Sequence, residues 1–221
     1  MKKTVYLFLL LVISYSCLFS TQVIRDYLIF EGKTYSLDPC PLEPFFEKYP
    51  EKRPDVDSIG FRRGYVATFE IRDSLLLVQN IQIPVWKNSK QKLTSITETI
   101  FSTNNDIIAD MFNGLILIRK IGKSVSSTDS TLGWFQYEKY VIFQIEDGIV
   151  TKQCSFNDSE FQEFLTKQIE AFRKTPEYKS KKDEIMNRYV IINIDGPEPT
   201  EDEYLELSIF EYSKKILVEI K

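Results

Sequence analysis

Four carboxylates stand where strands or turns could present them to a substrate: Glu70, Asp110, Glu138 and Glu146. Two carboxyl groups about 5–9.5 Å apart suffice for general acid/base or glycosidase chemistry. A carboxylate-dependent hydrolase acting on envelope carbohydrate is therefore one reading of the chain. The chain carries 32 Asp and Glu, however, so a chance pair is expected and no spacing sets one pair above another. Solvated surface charge is the plainer reading, and no catalytic residue is assigned. Glu70 alone sits near a motif, between Phe69 and Ile71 on the outward face of a predicted strand.

The chain has no histidine, which removes the commonest metal ligand and the commonest general base. Zinc hydrolysis and histidine-activated nucleophiles are excluded on that ground. Gly60, Gly64 and Gly122 lack the spacing that cradles phosphate, and neither a P-loop nor a dinucleotide fingerprint occurs. No cofactor and no metal site is expected. Aromatic residues offer a different chemistry, because Trp86, Trp134, Phe135 and Tyr137 lie in or beside predicted loops, where rings could stack on sugars or on a protein partner. Trp134 and Phe135 could equally open a core strand. Lys179, Lys181 and Lys182 sit beside acids on a polar helix and read as a solvated face.

The N-terminus reads Met1-Lys2-Lys3 and then carries no charge from Thr4 to Thr21, around the apolar run Val5 to Ile13. A short basic region followed by an apolar stretch and small residues predicts a signal peptide over residues 1–20. A buried core helix would need a polar face, which this run lacks, and a membrane-spanning helix needs about 20 apolar residues. Ser14, Ser16 and Ser20 break the run before that. Ser14-Tyr15-Ser16-Cys17 resembles a lipoprotein signal, which implies lipidation of Cys17 and a membrane-anchored product. Ordinary cleavage near Ser20 would instead release a periplasmic protein.

Removing Lys2 and Lys3 from the 28 basic residues leaves 26 against 32 acidic ones, a net charge of −6. An acidic chain has no overall electrostatic footprint for phosphate backbones or anionic headgroups, so nucleic acid is not an expected partner. After processing, Cys40 and Cys154 remain. They could form a disulfide in an oxidising compartment or pack as two free thiols.

At 43% apolar composition, residues 21–221 are predicted to form one globular domain. Two β-rich runs, 27–31 and 34–38, flank Gly32-Lys33 and predict an opening hairpin. The proline-bounded segment 39–54 can hold at most a short helix begun at Pro44. Residues 63–71 alternate as a half-buried strand and pair through Arg72-Asp73-Ser74 with 75–83. The polar run 86–91 reads as a loop, and 93–101 stays open between helix and strand. A short helix is predicted over 106–112, stopped by Asn113-Gly114, with a strand over 115–120. A Ser/Thr-rich loop follows at 123–133.

The strongest local signal is 137–146, then Asp147-Gly148, then 149–154, which predicts a tight hairpin. Asn157 with Glu160 three residues later forms a capping-box pattern, and Phe161, Phe164, Leu165, Ile169 and Phe172 follow at helical spacing. A polar helix over 178–188, a strand over 190–195 and a terminal hairpin over 205–220 complete the pattern. The fold class is therefore α+β: a mainly antiparallel twisted sheet of hairpins with an amphipathic helix near 158–174 packed on one face.

Three segments, Arg63 to Ile71, Met111 to Gly122 and Tyr137 to Gly148, together with Pro41 to Phe46, resemble a family of bacterial exported proteins of unassigned activity. The resemblance covers about Tyr27 to Val150. It implies a shared fold and supplies no mechanism. Export signal, acidic composition and missing catalytic residue types lead to one expectation: a non-enzymatic cell-envelope lipoprotein that binds a protein or an envelope polymer such as a polysaccharide.

Cys17→Ser should move the protein from a detergent-extracted membrane fraction to the soluble fraction, since the several acyl chains of a lipoprotein anchor stably where one does not. Intact mass checks the cause, and an unmodified N-terminus at or after Leu18 would remove the lipidation reading.

Overall fold

A computed structural model describes residues 24–55, 61, 63–87, 90–103, 105–121, 137–189 and 201–219. The opening hairpin forms as the turn chemistry requires: β1 (Tyr27–Phe30) and β2 (Lys33–Ser36) join at Glu31-Gly32, both at positive φ. A parallel pairing sets β1 beside β3 (Val66–Arg72), which turns back into β4 (Leu75–Lys87). On the other side β7 (Gly114–Ile121), β8 (Tyr137–Glu146) and β9 (Ile149–Phe156) form an antiparallel meander. With β5 (Lys90–Ser95) and β6 (Ile107–Ile108) on β4, the sheet runs β2-β1-β3-β4-β9-β8-β7. It curls until its two ends nearly meet, bridged by ion pairs from Lys120 to Glu31 (2.6 Å) and from Arg119 to Asp38 (3.2 Å).

Alternation along the strands sorts the apolar residues into two cores. Leu28, Ala67, Phe69, Leu76, Ile116, Ile118, Val141, Phe143 and Ile145 fill the barrel interior. Leu115, Leu117, Tyr140, Ile142, Cys154 and Phe156 face outward beneath three helices: α3 (Asp158–Arg173), α4 (Pro176–Tyr189) and α5 (Glu201–Tyr212). The stripe on α3 buries Phe161, Phe164, Leu165, Ile169 and Phe172, with Phe161 stacked on Tyr140 at 3.9 Å. Its capping box is formed in full, Glu160 N donating to Asn157 Oδ1 (3.0 Å) and Asn157 N to Glu160 (2.9 Å). The fully buried Gln168 then ties down the C-terminal tail, donating to Ser213 Oγ and Lys215 O and accepting from Leu217 N.

Three predicted elements differ. In the predicted loop 86–91, residues 86–87 and 90–91 are strand, belonging to β4 and β5, and the exposed polar residues there carry no alternation to read. Residues 106–112 form no helix, because Ile107 and Ile108 pair with Val78 and Leu77 and sheet pairing overrides local propensity. The terminal hairpin is replaced by α5, in which Leu205 and Ile209 meet the outer core at helical spacing, followed by an irregular tail. The ambiguous stretch 93–101 divides between β5 and a short helix, α2 (Thr97–Phe101), while the proline segment holds α1 (Glu43–Lys48). The predicted loop 123–133 and strand 190–195 lie outside the described residues.

β4 and β9 pair only at Leu75 and Ile149 before they diverge, and β6 occupies the opening. The β8–β9 turn seals this junction, because Gly148 lies so close to it that a Cβ there would meet Ile108 Cγ2 at 2.7 Å and the Ala109 carbonyl at 2.9 Å. Gly148→Ala therefore combines left-handed backbone strain of about 1–2 kcal/mol with overpacking of about 1–3 kcal/mol. Gly32 has a similar φ of +70° but nothing within 4 Å of the added Cβ. Urea denaturation should accordingly show Gly148→Ala losing clearly more stability than Gly32→Ala, and equal losses would refute the close approach.

Candidate functional site

The sequence-predicted carboxylates are scattered. Glu70 accepts from Gln79 Nε2 (2.8 Å) and Arg72 (3.3 Å) on the outer face of β3. Glu146 accepts from Gln144 Nε2 (2.9 Å), while Glu138 is exposed at the opposite end of the same strand. Eight residues of strand at about 3.4 Å each separate those two by about 27 Å. Asp110 is exposed in the turn after β6. None of the described hydrogen bonds or ion pairs links any two of the four, and among the described residues no three of Cys, Asp and Glu gather as a metal site would need.

Of the aromatic candidates, the two among the described residues, Trp86 and Tyr137, lie in different surroundings. Trp86 is 66% exposed near the end of β4, whereas Tyr137 is half-buried against the outer core, edge-on to Tyr140 at 5.8 Å. Trp134, Phe135 and Cys17 lie outside the described residues. Cys40 and Cys154 are separate free thiols: Cys154 is buried in the outer core, and Cys40 sits on the stretch that leads into α1. Burial pushes both thiols up from their ordinary values, so neither is a ready thiolate.

A polar cluster at the α1 end of the barrel was not foreseen. Asp26, 1% exposed, receives a two-pronged bond from Arg63 (2.7 and 3.0 Å) and another from Ala67 N (2.8 Å). Beside it the phenol of Tyr65 donates to Glu43 (2.7 Å), which also receives both prongs of Arg53 (3.2 and 2.9 Å). Burial pushes the Asp26 carboxyl above its usual range against the opposing pull of Arg63. Burial also acts against the Arg63 charge, but Asp26 outweighs it and keeps the guanidinium protonated. The paired geometry is that of an ion pair. Burial likewise raises the Tyr65 phenol, so it stays a donor. Each carboxylate oxygen in the cluster has a donor, and the chain of bonds fastens α1 to β3 and to the entry of β1. It is a clamp rather than a poised acid/base pair. The sequence signal was a charged residue entering each strand, at Asp26 and Arg63, but the partner of each lies 37 residues away.

Next to the clamp lies a cavity of about 310 Å³. α1 contributes Phe45, α2 contributes Phe101, and Val78, Ile107, Ile108 and Met111 close the far wall. Phe45 lies 5.1 Å from Tyr49 and 4.9 Å from Phe101, ring centre to ring centre. Lys52 caps these rings, its Nζ donating to Ile100 O (3.1 Å) and lying 5.6 Å from Phe45 and 5.7 Å from Tyr49. Asp110 is the acid on the lining. The cavity walls are aromatic and aliphatic side chains with polar surface between them, and a concavity that combines the two is the usual form of a binding site. A second hollow of about 530 Å³, between Lys33, Lys120, Lys139, Glu138 and Glu160, is lined mainly by charged side chains.

No family model, curated protein or solved structure matches the chain. Among the described residues no helix is long and apolar enough to cross a membrane.

Burial pushes the Glu43 carboxyl up, but the bonds from Arg53 and Tyr65 outweigh it and hold it below the usual range. A depressed carboxylate stabilises the fold above its unfolded value, about 4.3 for glutamate, and that contribution is lost as the pH falls through the folded value. Glu43→Gln should therefore cost about 1.5–3 kcal/mol at pH 7, and the gap to wild type should shrink as the pH is lowered from about 4.3. Denaturation at pH 7 and pH 3 checks this, and an undiminished gap at pH 3 would assign the loss to packing.

Proposed function

We propose that this is a non-enzymatic protein of the cell envelope, anchored through Cys17, that binds another envelope protein by taking apolar side chains into the cavity between α1, α2 and β6. The observation that carries the reading is the lining of that cavity: Phe45, Phe101, Val78, Ile107 and Ile108 form its walls. Sugars prefer a flat ring flanked by several hydrogen-bonding groups, whereas a walled apolar pocket suits an aliphatic or aromatic anchor from a protein surface. Lys52 and Asp110 at the lining can orient the incoming chain. The competing hydrolase reading has one acid in the cavity, Asp110.

A photoreactive amino acid at Met111, on the cavity lining, should cross-link a single protein in intact envelopes. The same probe at Lys167, on the exposed face of α3, should not. Absence of a Met111-specific protein adduct, or release of soluble sugar from envelope material that disappears in Asp110→Asn, would replace this reading with the hydrolase.

A further inference from the structure

Gln82 pairs with Val66 on one side and with Ser95 on the other, and beyond it, among the described residues, β4 pairs with β5 alone. Ile83 still packs on the inner core and Pro84 is buried, and from Val85 onward the two strands stand out from the sheet as an arm. Lys90 to Ser95 are all exposed, and Trp86 keeps 66% of its surface, Val85 and Leu93 39% each. Register places Pro84 opposite Leu93 and Trp86 on the same face, with Val85 opposite Lys92 and Lys87 opposite Lys90 on the other. A two-stranded ribbon buries too little to hold itself together well in water, yet this one leaves Val85, Trp86 and Leu93 largely uncovered at its end.

Charge is concentrated there as well. No Asp or Glu occurs between Asp73 and Glu98, while Lys87, Lys90 and Lys92 crowd the arm of a chain whose net charge is −4. Tryptophan sits preferentially at headgroup level, and lysines near an anionic surface are each strongly attracted to it. The topology also sets a direction. Tyr27 pairs with Thr68, and Thr68 with Asn80, so β1 begins at the end of the sheet from which the arm leaves. From Cys17, the segment Leu18 to Asp26 can span at most about 30 Å at about 3.3–3.6 Å per residue. An anchored domain therefore turns the arm toward the membrane that holds it.

We infer that the β4–β5 arm lies against an anionic lipid surface, with Trp86 among the headgroups and Lys87, Lys90 and Lys92 against lipid phosphates. The orientation relative to the anchor rests on the proposed lipidation of Cys17; the arm's own affinity for anionic lipid does not.

The test uses the exported, signal-processed Cys17→Ser protein carrying Trp134→Phe, so that Trp86 is the only indole. Vesicles of phosphatidylcholine alone are compared with vesicles containing about three-tenths phosphatidylglycerol. The expected result is a blue shift of Trp86 emission and co-sedimentation with the anionic vesicles only. Replacing all three lysines by glutamine should weaken partitioning about a hundredfold, at about fivefold per charge, with the circular dichroism spectrum unchanged. Unshifted emission with both vesicles overturns the inference, as does binding that survives loss of the lysines. An arm-dependent cross-link to an acidic protein without vesicle binding also overturns it. Intact mass of the wild-type chain decides the anchor separately, so an unlipidated Cys17 removes the orientation and leaves the lipid affinity standing.

Discussion

Everything in this fold follows from strands that must hide both faces. Leu115-Ile116-Leu117-Ile118 on β7 and Val141-Ile142-Phe143 on β8 are apolar without interruption and buried throughout. Alternate side chains of such a run point to opposite sides of the sheet, so one cover cannot suffice. Curling the sheet buries Ile116, Ile118, Val141 and Phe143 against the other strands. The opposite set, Leu115, Leu117 and Ile142, is left for the helices α3, α4 and α5. The first strands carry no such demand: Thr68, Glu70 and Gln79 face outward, and among the described residues the helices α3 and α5 pack instead on β7, β8 and β9. A single asymmetry of sequence thus decides which half of the barrel is armoured.

Legibility in the sequence tracks how local the cause is. Asp147-Gly148 dictates its turn within four residues, and Asn157 with Glu160 dictates the start of α3 within another four, so both were readable. β6 was not, because Ile107 and Ile108 become strand only by pairing with β4, about thirty residues earlier. The apolar residues of α5 were misread as alternation since Leu205, Leu207 and Ile209 satisfy a period of two as well as they satisfy one helical turn. The candidate site suffered most. Its walls come from four separate stretches, and the clamp beside it joins Asp26 to Arg63 and Glu43 to Tyr65, pairs that no spacing rule connects.

The clamp and the cavity are adjacent for a physical reason. α1 is six residues long and proline-bounded, too short to stay helical on its own propensity. Packing of Leu42 and Phe46 holds one side of it, and the Arg53–Glu43–Tyr65 bonds hold the other. A buried pair of charges adds little net stability compared with apolar packing, but removing one partner is costly. What it adds here is position: Phe45 is fixed over the cavity by a helix that could not otherwise be rigid.

Net charge is an average, and the arm shows what an average conceals. Whole-chain acidity argues against anionic partners only if acids and bases are mixed on the scale of the Debye length, about 8 Å at physiological salt. A strand advances about 3.4 Å per residue, so the acid-free stretch from Ser74 to Thr97 extends over several such lengths. Within the arm the lysines are therefore not neutralised by neighbours on their own strands. Lysine on a sheet edge also discourages edge-to-edge pairing with other chains, and that alone would account for Lys90 and Lys92 on β5. It would not account for Trp86, because an edge protected against association gains nothing from a tryptophan left two-thirds exposed beside it. Charge and exposed ring together fit a surface that is both anionic and partly apolar, and a lipid headgroup layer has both properties.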